Sequence, residues 1–251
     1  MDMIQIEYHD SVVLVKVDRD ITNAINLQLV AELEECLQEV AQNPDVTGLV
    51  LSSSNEKFFS IGLDIPSLYG LSRKDFAFFY QMFNRMCIDL YTLPKPTAAA
   101  LVGHAVAGGC ILALCCDYRF IAEGKKLMGL NEVKLGVPVP YPADCILRTV
   151  VGTRIGREIV DTGEFYLPEQ SVCMGLVDEV LPIREVIPAA IEKVRVLAAL
   201  PQKAVVITKR NRVETVEKQI LTHLAEKEQL FMECWFSDEA RQQLRKAMEK
   251  F

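Results

Sequence analysis

Three observations predict an α/β fold for these 251 residues. Segments with alternating or continuously apolar residues take turns with segments of helical periodicity along most of the chain. Apolar residues make up 50% and charged residues 24%, the balance of a packed globule and not of a disordered chain. The segment from Pro201 onward reads as helical and amphipathic throughout, with Phe231, Trp235 and Phe236 near its end. It is too small to build its own core, so it should pack on the body or on a neighbouring subunit. The expected division is a core over 1–200 that carries the site and a helical region over 201–251 for packing and oligomerisation.

Ile4, Ile6 and Tyr8 alternate with polar neighbours, and Val13, Val15 and Val17 repeat the pattern beyond Asp10-Ser11, which predicts a hairpin. Asn26 can cap a helix with Val30, Leu33, Leu37 and Val40 on one stripe, stopped at Asn43-Pro44-Asp45. Gly48–Leu51 is a short buried strand. Ser72 opens a second helix, with Phe76, Phe79, Tyr80, Phe83, Met86, Cys87 and Leu90 on one face, ended by Pro94 and Pro96. Thr97–Val102 is small and apolar, as a strand buried on both faces should be. Gly103–Gly109 follows as a loop, and Cys110–Cys116 is apolar on every side, as a core helix is. Tyr118–Ala122 and Leu127–Leu130 read as strands around a turn at Glu123-Gly124. Pro138, Pro140 and Pro142 make an irregular segment, and helical patterns continue to about Leu200. The spacing suggests a repeated β-β-α unit without an internal sequence repeat.

The net charge of −7, from 27 basic and 34 acidic residues, argues against a nucleic-acid binder that relies on bulk charge. The apolar runs are far short of the ~20 residues that span a bilayer, so no membrane insertion is expected. The N-terminus has no basic start followed by an apolar stretch, which predicts no signal or transit peptide and a cytoplasmic protein. Eight cysteines form no Cys-x-x-Cys pair and sit mostly among apolar residues, which fits reduced thiols. With three histidines and these spacings no metal is expected.

Three segments are candidates for chemistry. Ala107-Gly108-Gly109 joins a buried strand to an apolar helix, where unpaired N–H groups suit an anion or developing oxyanion, although close helix–strand packing explains the glycines equally well. In Phe58–Asp64, Gly62 can turn the chain so that the Leu63 N–H faces a pocket, with Asp64 as a cap for the segment after it; an ordinary turn is the alternative. Glu132 lies in a mostly apolar stretch, where desolvation would raise its pKa toward that of a general base; the alternative is a surface glutamate paired with Lys134. No Gly-x-Ser-x-Gly elbow is present, and His104, the histidine nearest a candidate site, reads as structural. Lys125-Lys126 and Lys209-Arg210-Asn211-Arg212 read as solvated faces.

Taken together, Phe59-Ser60-Ile61-Gly62-Leu63-Asp64, Pro94-Lys95-Pro96-Thr97 with Gly103-x-Ala105-x-Ala107-Gly108-Gly109-Cys110, Cys116-Asp117-Tyr118-Arg119 and Gly175–Val180 resemble the signatures of the crotonase superfamily of acyl-CoA enzymes over nearly the whole chain. The resemblance implies a spiral of β-β-α turns and a C-terminal helical part that builds trimers, often paired into hexamers. It implies an oxyanion hole made by the backbone N–H groups of Leu63 and Gly108, with Ile61, Gly62, Gly109, Ile111 and Tyr141 around the pocket. It implies no separate cofactor, because coenzyme A is part of the substrate. Lys57 is the candidate contact for its phosphates. Hydratases of the superfamily carry a glutamate directly after the Gly-Gly-Cys triplet, where this chain has Ile111, and a second one at the position of Glu132. Retaining only the second resembles the mitochondrial-type Δ3-Δ2-enoyl-CoA isomerases of fatty acid metabolism. Ile61 stands where alanine is common, which puts the width of the thioester pocket in question. Hydration or thioester hydrolysis on the same fold would need a second polar group, such as Tyr141 or Asp144. A non-catalytic acyl-CoA-binding scaffold is the alternative of another kind.

Overall fold

The computed structural model describes residues 2–249. In chain order the elements begin β1 (Ile4–His9), β2 (Val12–Val17), α1 (Leu27–Gln42), β3 (Gly48–Ser53), β4 (Phe58–Ser60), α2 (Ile65–Tyr69) and α3 (Arg73–Thr92). They continue β5 (Thr97–Leu101), β6 (His104–Val106), α4 (Gly108–Leu114), β7 (Tyr118–Ala122), β8 (Met128–Gly129), a 3₁₀ turn (Glu132–Leu135) and α5 (Tyr141–Thr162). The last are α6 (Pro168–Cys173), β9 (Glu179–Leu181), α7 (Ile183–Ala198), α8 (Gln202–Trp235) and α9 (Asp238–Met248).

The opening hairpin pairs β1 and β2 antiparallel, with Ile6 opposite Val15. Every later pairing between these strands is parallel, and an isolated antiparallel bridge joins Met128 to Tyr166. Six strands make one sheet in the order β1-β2-β3-β5-β7-β9, and β4-β6-β8 make a second. Each strand pair β3/β4, β5/β6 and β7/β8 therefore sends its first strand to the large sheet and its second to the small one, and the following chain carries the path to the next turn. This is the spiral of β-β-α turns that the resemblance implied. Parallel strands are covered on both faces, which is why β3 and β5 are buried at every position. Val12, Leu14, Val50, Ala98, Ala100 and Phe120 meet Val186, Ala190 and Val194 of α7. The alternate residues, Val13, Val15, Leu49, Leu51, Ala99 and Leu101, face the main core with α1 and α3.

The caps are as expected. Asn26 accepts from the Leu29 N–H at 2.9 Å, and Ser72 accepts from the Asp75 N–H at 3.1 Å. Four segments differ from expectation. His104–Val106, read as loop, pairs between β4 and β8. Residues 118–122 and 127–130 do not pair with each other; β7 and β8 belong to different sheets, and the second strand shrinks to Met128–Gly129. Glu179–Leu181 is a strand beside β7 within a stretch read as helical, and Tyr141 and Pro142 already belong to α5. In each case a long-range pairing or packing partner, invisible locally, overrides the local pattern.

Lys209 corrects the reading of its basic cluster as a solvated face. Its ammonium is buried on α8 and donates to Asp117 Oδ2 and to the Lys95 carbonyl, each at 2.9 Å. Arg212 adds a second contact to Asp117, whose carboxylate also accepts from the Thr97 N–H at 2.9 Å. Burial alone would raise the Asp117 carboxyl, but Lys209 and Arg212 hold it below the usual carboxylate value.

The C-terminal helices pack on the body of their own chain: α8 against α3 and α5, α9 against the 3₁₀ turn and α2. Trp235 stacks on Phe76 with ring centroids 4.2 Å apart, and Phe231 on Tyr80 at 4.1 Å. Six of the eight cysteines are buried as free thiols, Cys173 is exposed and Cys234 half-buried. Among the described residues no helix is long and apolar enough to cross a membrane.

Candidate active site

Two backbone crossings meet beneath one cavity. The first follows β4, where Ile25 and Leu63 form a parallel bridge. The Ile25 N–H donates to the Gly62 carbonyl at 2.7 Å, and the Asp64 N–H donates to the Ile25 carbonyl at 2.9 Å. Backbone groups alternate in direction along an extended segment, so the Leu63 N–H points away from Ile25. The second crossing follows β6. Ala107 holds a positive φ of 49° at the start of α4, and its N–H donates to the Gly129 carbonyl at 2.8 Å. A non-glycine residue in that conformation stores strain, a feature concentrated at functional sites. The next N–H, that of Gly108, is the first of α4 and has no acceptor within the helix. Among the described residues, neither the Leu63 nor the Gly108 N–H has a backbone acceptor.

Glycine lets the two crossings touch. A Cβ on Gly62, where φ is +95°, would lie 2.8 Å from the Gly108 nitrogen. One on Gly109 would lie 2.3 Å from the Ser60 carbonyl oxygen. Both positions need glycine to bring the loops this close.

Glu132 starts the 3₁₀ turn that follows β8. It is 7% exposed, and its Oε2 has no hydrogen-bond partner among the described residues. Burial pushes its carboxyl up to about 7, against the opposing pull of the Glu132 and Asn131 N–H groups. Lys134, the surface partner that the local sequence offered, instead contacts Glu164 at 2.6 Å. Glu132, Leu63, Gly108, Ile61 and Ile111 share the wall of a cavity of about 400 Å³. Phe83, Leu135, Val137, Phe231 and Trp235 make much of the rest apolar. A largely apolar pocket whose wall holds one carboxyl oxygen without a partner and two backbone N–H groups without a backbone acceptor can support proton transfer next to a polarised carbonyl.

The profile described as enoyl-CoA hydratase/isomerase matches residues 7–251. The chain belongs to the enoyl-CoA hydratase/isomerase family. It is 27% identical over 229 residues to human enoyl-CoA delta isomerase 1, mitochondrial, covering 91% of this chain and 76% of that protein. It is 26% identical to a crotonyl-CoA hydratase of Syntrophomonas wolfei, covering 91% of this chain and 87% of that one. The crystal structure of human mitochondrial delta3-delta2-enoyl-CoA isomerase superposes with a TM-score of 0.95 at 25% identity, over 99% of this chain and 97% of that one. An enoyl-CoA hydratase from Bacillus anthracis, also 25% identical, superposes at 0.81 over 99% and 96%.

Not every residue expected at the site of this enoyl-CoA hydratase/isomerase family member reaches the cavity. Gly62 and Gly109 support the crossings from behind the wall. Tyr141 is a correction: Pro140 lines the cavity, whereas Tyr141, the first residue of α5, turns toward α8, its hydroxyl accepting from Gln219 at 3.5 Å. Asp144 is engaged by Arg148. Lys57 is exposed beyond the wall, its ammonium 5.3 Å from the ring centroid of Phe58, which does line it. The structure also adds residues that local sequence reasoning missed. Arg19 pairs with Asp64 at 2.5 Å within the cavity wall. Asn131 lines it as a half-buried polar side chain, and so does His104, which the sequence offered as a structural histidine near the site. Phe231 and Trp235 come from about a hundred positions beyond Glu132; the aromatic cluster near the chain end was visible, its destination was not.

Proposed function

We propose that the protein is a Δ3-Δ2-enoyl-CoA isomerase acting on acyl-CoA thioesters. The isolation of Glu132 carries this reading. The other carboxylates in the wall are engaged: Asp64 with Arg19 and the Ser67 N–H, Asp20 with Thr22. Ile111 occupies the place where hydratases of the resemblance have a second glutamate. Moving a double bond needs one base, which takes a proton from C2 and returns it at C4. The C2–H electron pair shifts into a dienolate whose oxygen the Leu63 and Gly108 N–H groups hold. The C3=C4 π pair then takes the proton from Glu132 at C4, and the former C2–H pair remains as the C2=C3 bond, conjugated with the thioester. The apolar wall limits competing attack by water. The closer superposition on the isomerase than on the hydratase of equal identity supports the same choice.

Purified protein given 3-enoyl-CoA thioesters of rising length should generate the absorbance of a conjugated 2-enoyl thioester. With C2-deuterated substrate, part of the label should appear at C4. Absence of turnover on every chain length rejects the reading. Hydration is the second reading, favoured by Asn131. Its side chain has no hydrogen bond among the described residues and lines the cavity next to Glu132, where an amide can hold a water. Loss of conjugated absorbance from 2-enoyl-CoA measures that reaction, and release of free thiol measures hydrolysis.

Two further outcomes are expected. A base works ionised, so kcat/KM should rise with pH and level off above about 7, the value to which burial takes Glu132. A profile flat from about pH 5 to 9 contradicts a titrating Glu132. Gly62→Ala, with its added Cβ against the Gly108 nitrogen, should push the two amides apart. The rate should fall roughly 100-fold or more while the thermal transition moves only a few degrees. Unchanged kcat in that variant removes the paired amides from the mechanism.

A further inference from the structure

His104 takes no part in the proton transfer proposed for Glu132, yet it stands in the wall of the same cavity. Side chains alternate along β6, so His104 and Val106 line the cavity while Ala105 is fully buried on the opposite side. The Nδ1 of His104 accepts from the Leu127 N–H at 2.9 Å. That bond places the proton of the neutral ring on Nε2. Burial, with Lys126 and Lys57 nearby, keeps the imidazole below its ordinary value, so the neutral form is favoured. Nε2 is neither enclosed nor hydrogen-bonded among the described residues. Phe58, its ring centroid 5.3 Å from the imidazole, and Leu127 flank it in the wall. The result is a fixed, single N–H donor at the cavity wall.

We propose that His104 is a specificity residue for the thioester arm, its Nε2–H donating to the pantetheine amide carbonyl farther from sulfur. This deepens the reading of the cavity as an acyl-CoA site and rests on it. The reach favours the amides over the phosphates. His104 precedes the oxyanion donor Gly108 by four positions, about 13 Å of chain at full extension. An extended pantetheine arm advances roughly 1.3 Å per bond, so its two amide carbonyls lie about 6 and about 11 Å from the thioester carbon and its first phosphorus about 18 Å away. Both amides fall within that upper limit, the farther one nearer to it, and the phosphates fall beyond it. An uncharged donor also matches an amide oxygen better than a phosphate, which favours cations.

The test uses the full chain, with His104→Ala and His104→Asn. In the second variant an amide oxygen stands near the place of Nδ1 and can still accept from Leu127, which preserves the wall but not the reach of Nε2. Titration calorimetry with butanoyl-CoA, butanoyl-pantetheine and butanoyl-N-acetylcysteamine, which keeps only the nearer amide, separates the contacts. Both variants should bind the first two about 2- to 10-fold more weakly, by the same factor, and the third as the parent does. With 3-enoyl-CoA, KM should rise by the same factor as the dissociation constant. Equal affinities in parent and variants overturn the proposal. So does a loss confined to the CoA thioester, which indicates a phosphate contact, or an equal loss on all three, which indicates a collapsed wall. A parent protein that binds none of the three overturns the acyl-CoA reading itself.

Discussion

Glu132→Gln should lower the isomerase rate roughly 100- to 10,000-fold, the range that positioned acid–base groups contribute. KM should change little, because the amide keeps the size of the side chain and loses only its ability to accept a proton. Steady-state assay of 3-enoyl-CoA conversion reads both, and full activity in this variant rejects the assignment. Stability should report the same burial independently. The Glu132 carboxyl is raised from 4.5 to about 7 in the folded protein. The folded state therefore holds a proton that the unfolded chain releases between those values, and stability falls as pH rises through that window. The full cost, ~3 kcal/mol, is reached above the folded value and is absent below about pH 4.5. Glu132→Gln has no such titration. Its stability relative to the parent should improve between acid pH and pH 8, as measured by urea unfolding at each pH. Parallel stability curves would place the carboxylate in contact with water.

Asp117→Ala should destabilise the fold by about 3–5 kcal/mol, because it strands the buried Lys209 ammonium without its counter-charge. For a chain of this size that lowers Tm by roughly 10 °C or more. Asp117→Ala combined with Lys209→Met should recover much of the loss, since the penalty lies in an unpaired charge and not in the absence of a pair. A loss under about 1 kcal/mol in the single variant would mean that water reaches the cluster. The cluster ties three distant pieces together: the start of β5 at Thr97, the chain leaving α4 at Asp117, and α8 at Lys209. From Lys209, α8 runs about 33 Å before Phe231 and Trp235 enter the cavity wall. Activity of Asp117→Ala, assayed below its own transition, should therefore fall less steeply than its stability.

The resemblance motifs and the structure meet most closely where the backbone itself is functional. Gly62 and Gly109 mark places where no side chain fits, and that requirement is written in residue identity. Alternation and capping located the hairpin, α1 and α3 for the same reason: the signal lies within a few neighbouring residues. Glu132 was legible only as a choice. Its near neighbour Lys134 offered a surface pair, and the fold sent Lys134 to Glu164, thirty positions away, leaving Glu132 enclosed. Tyr141 and Lys209 went the other way. Helix orientation turned one off the cavity, and packing of α8 drew the other out of solvent.

Residue order alone determined the α/β alternation, the family signatures, the glycines at the two crossings and an isoleucine, not a glutamate, at position 111. These are local or compositional properties that a chain carries before it folds. The tertiary structure decided which strands share a sheet, where α8 and α9 lie, and what surrounds each ionisable group. Burial depends on segments far apart in sequence and raises the Glu132 carboxyl, while the Leu127 N–H, twenty-three positions along the chain, leaves the His104 proton on Nε2.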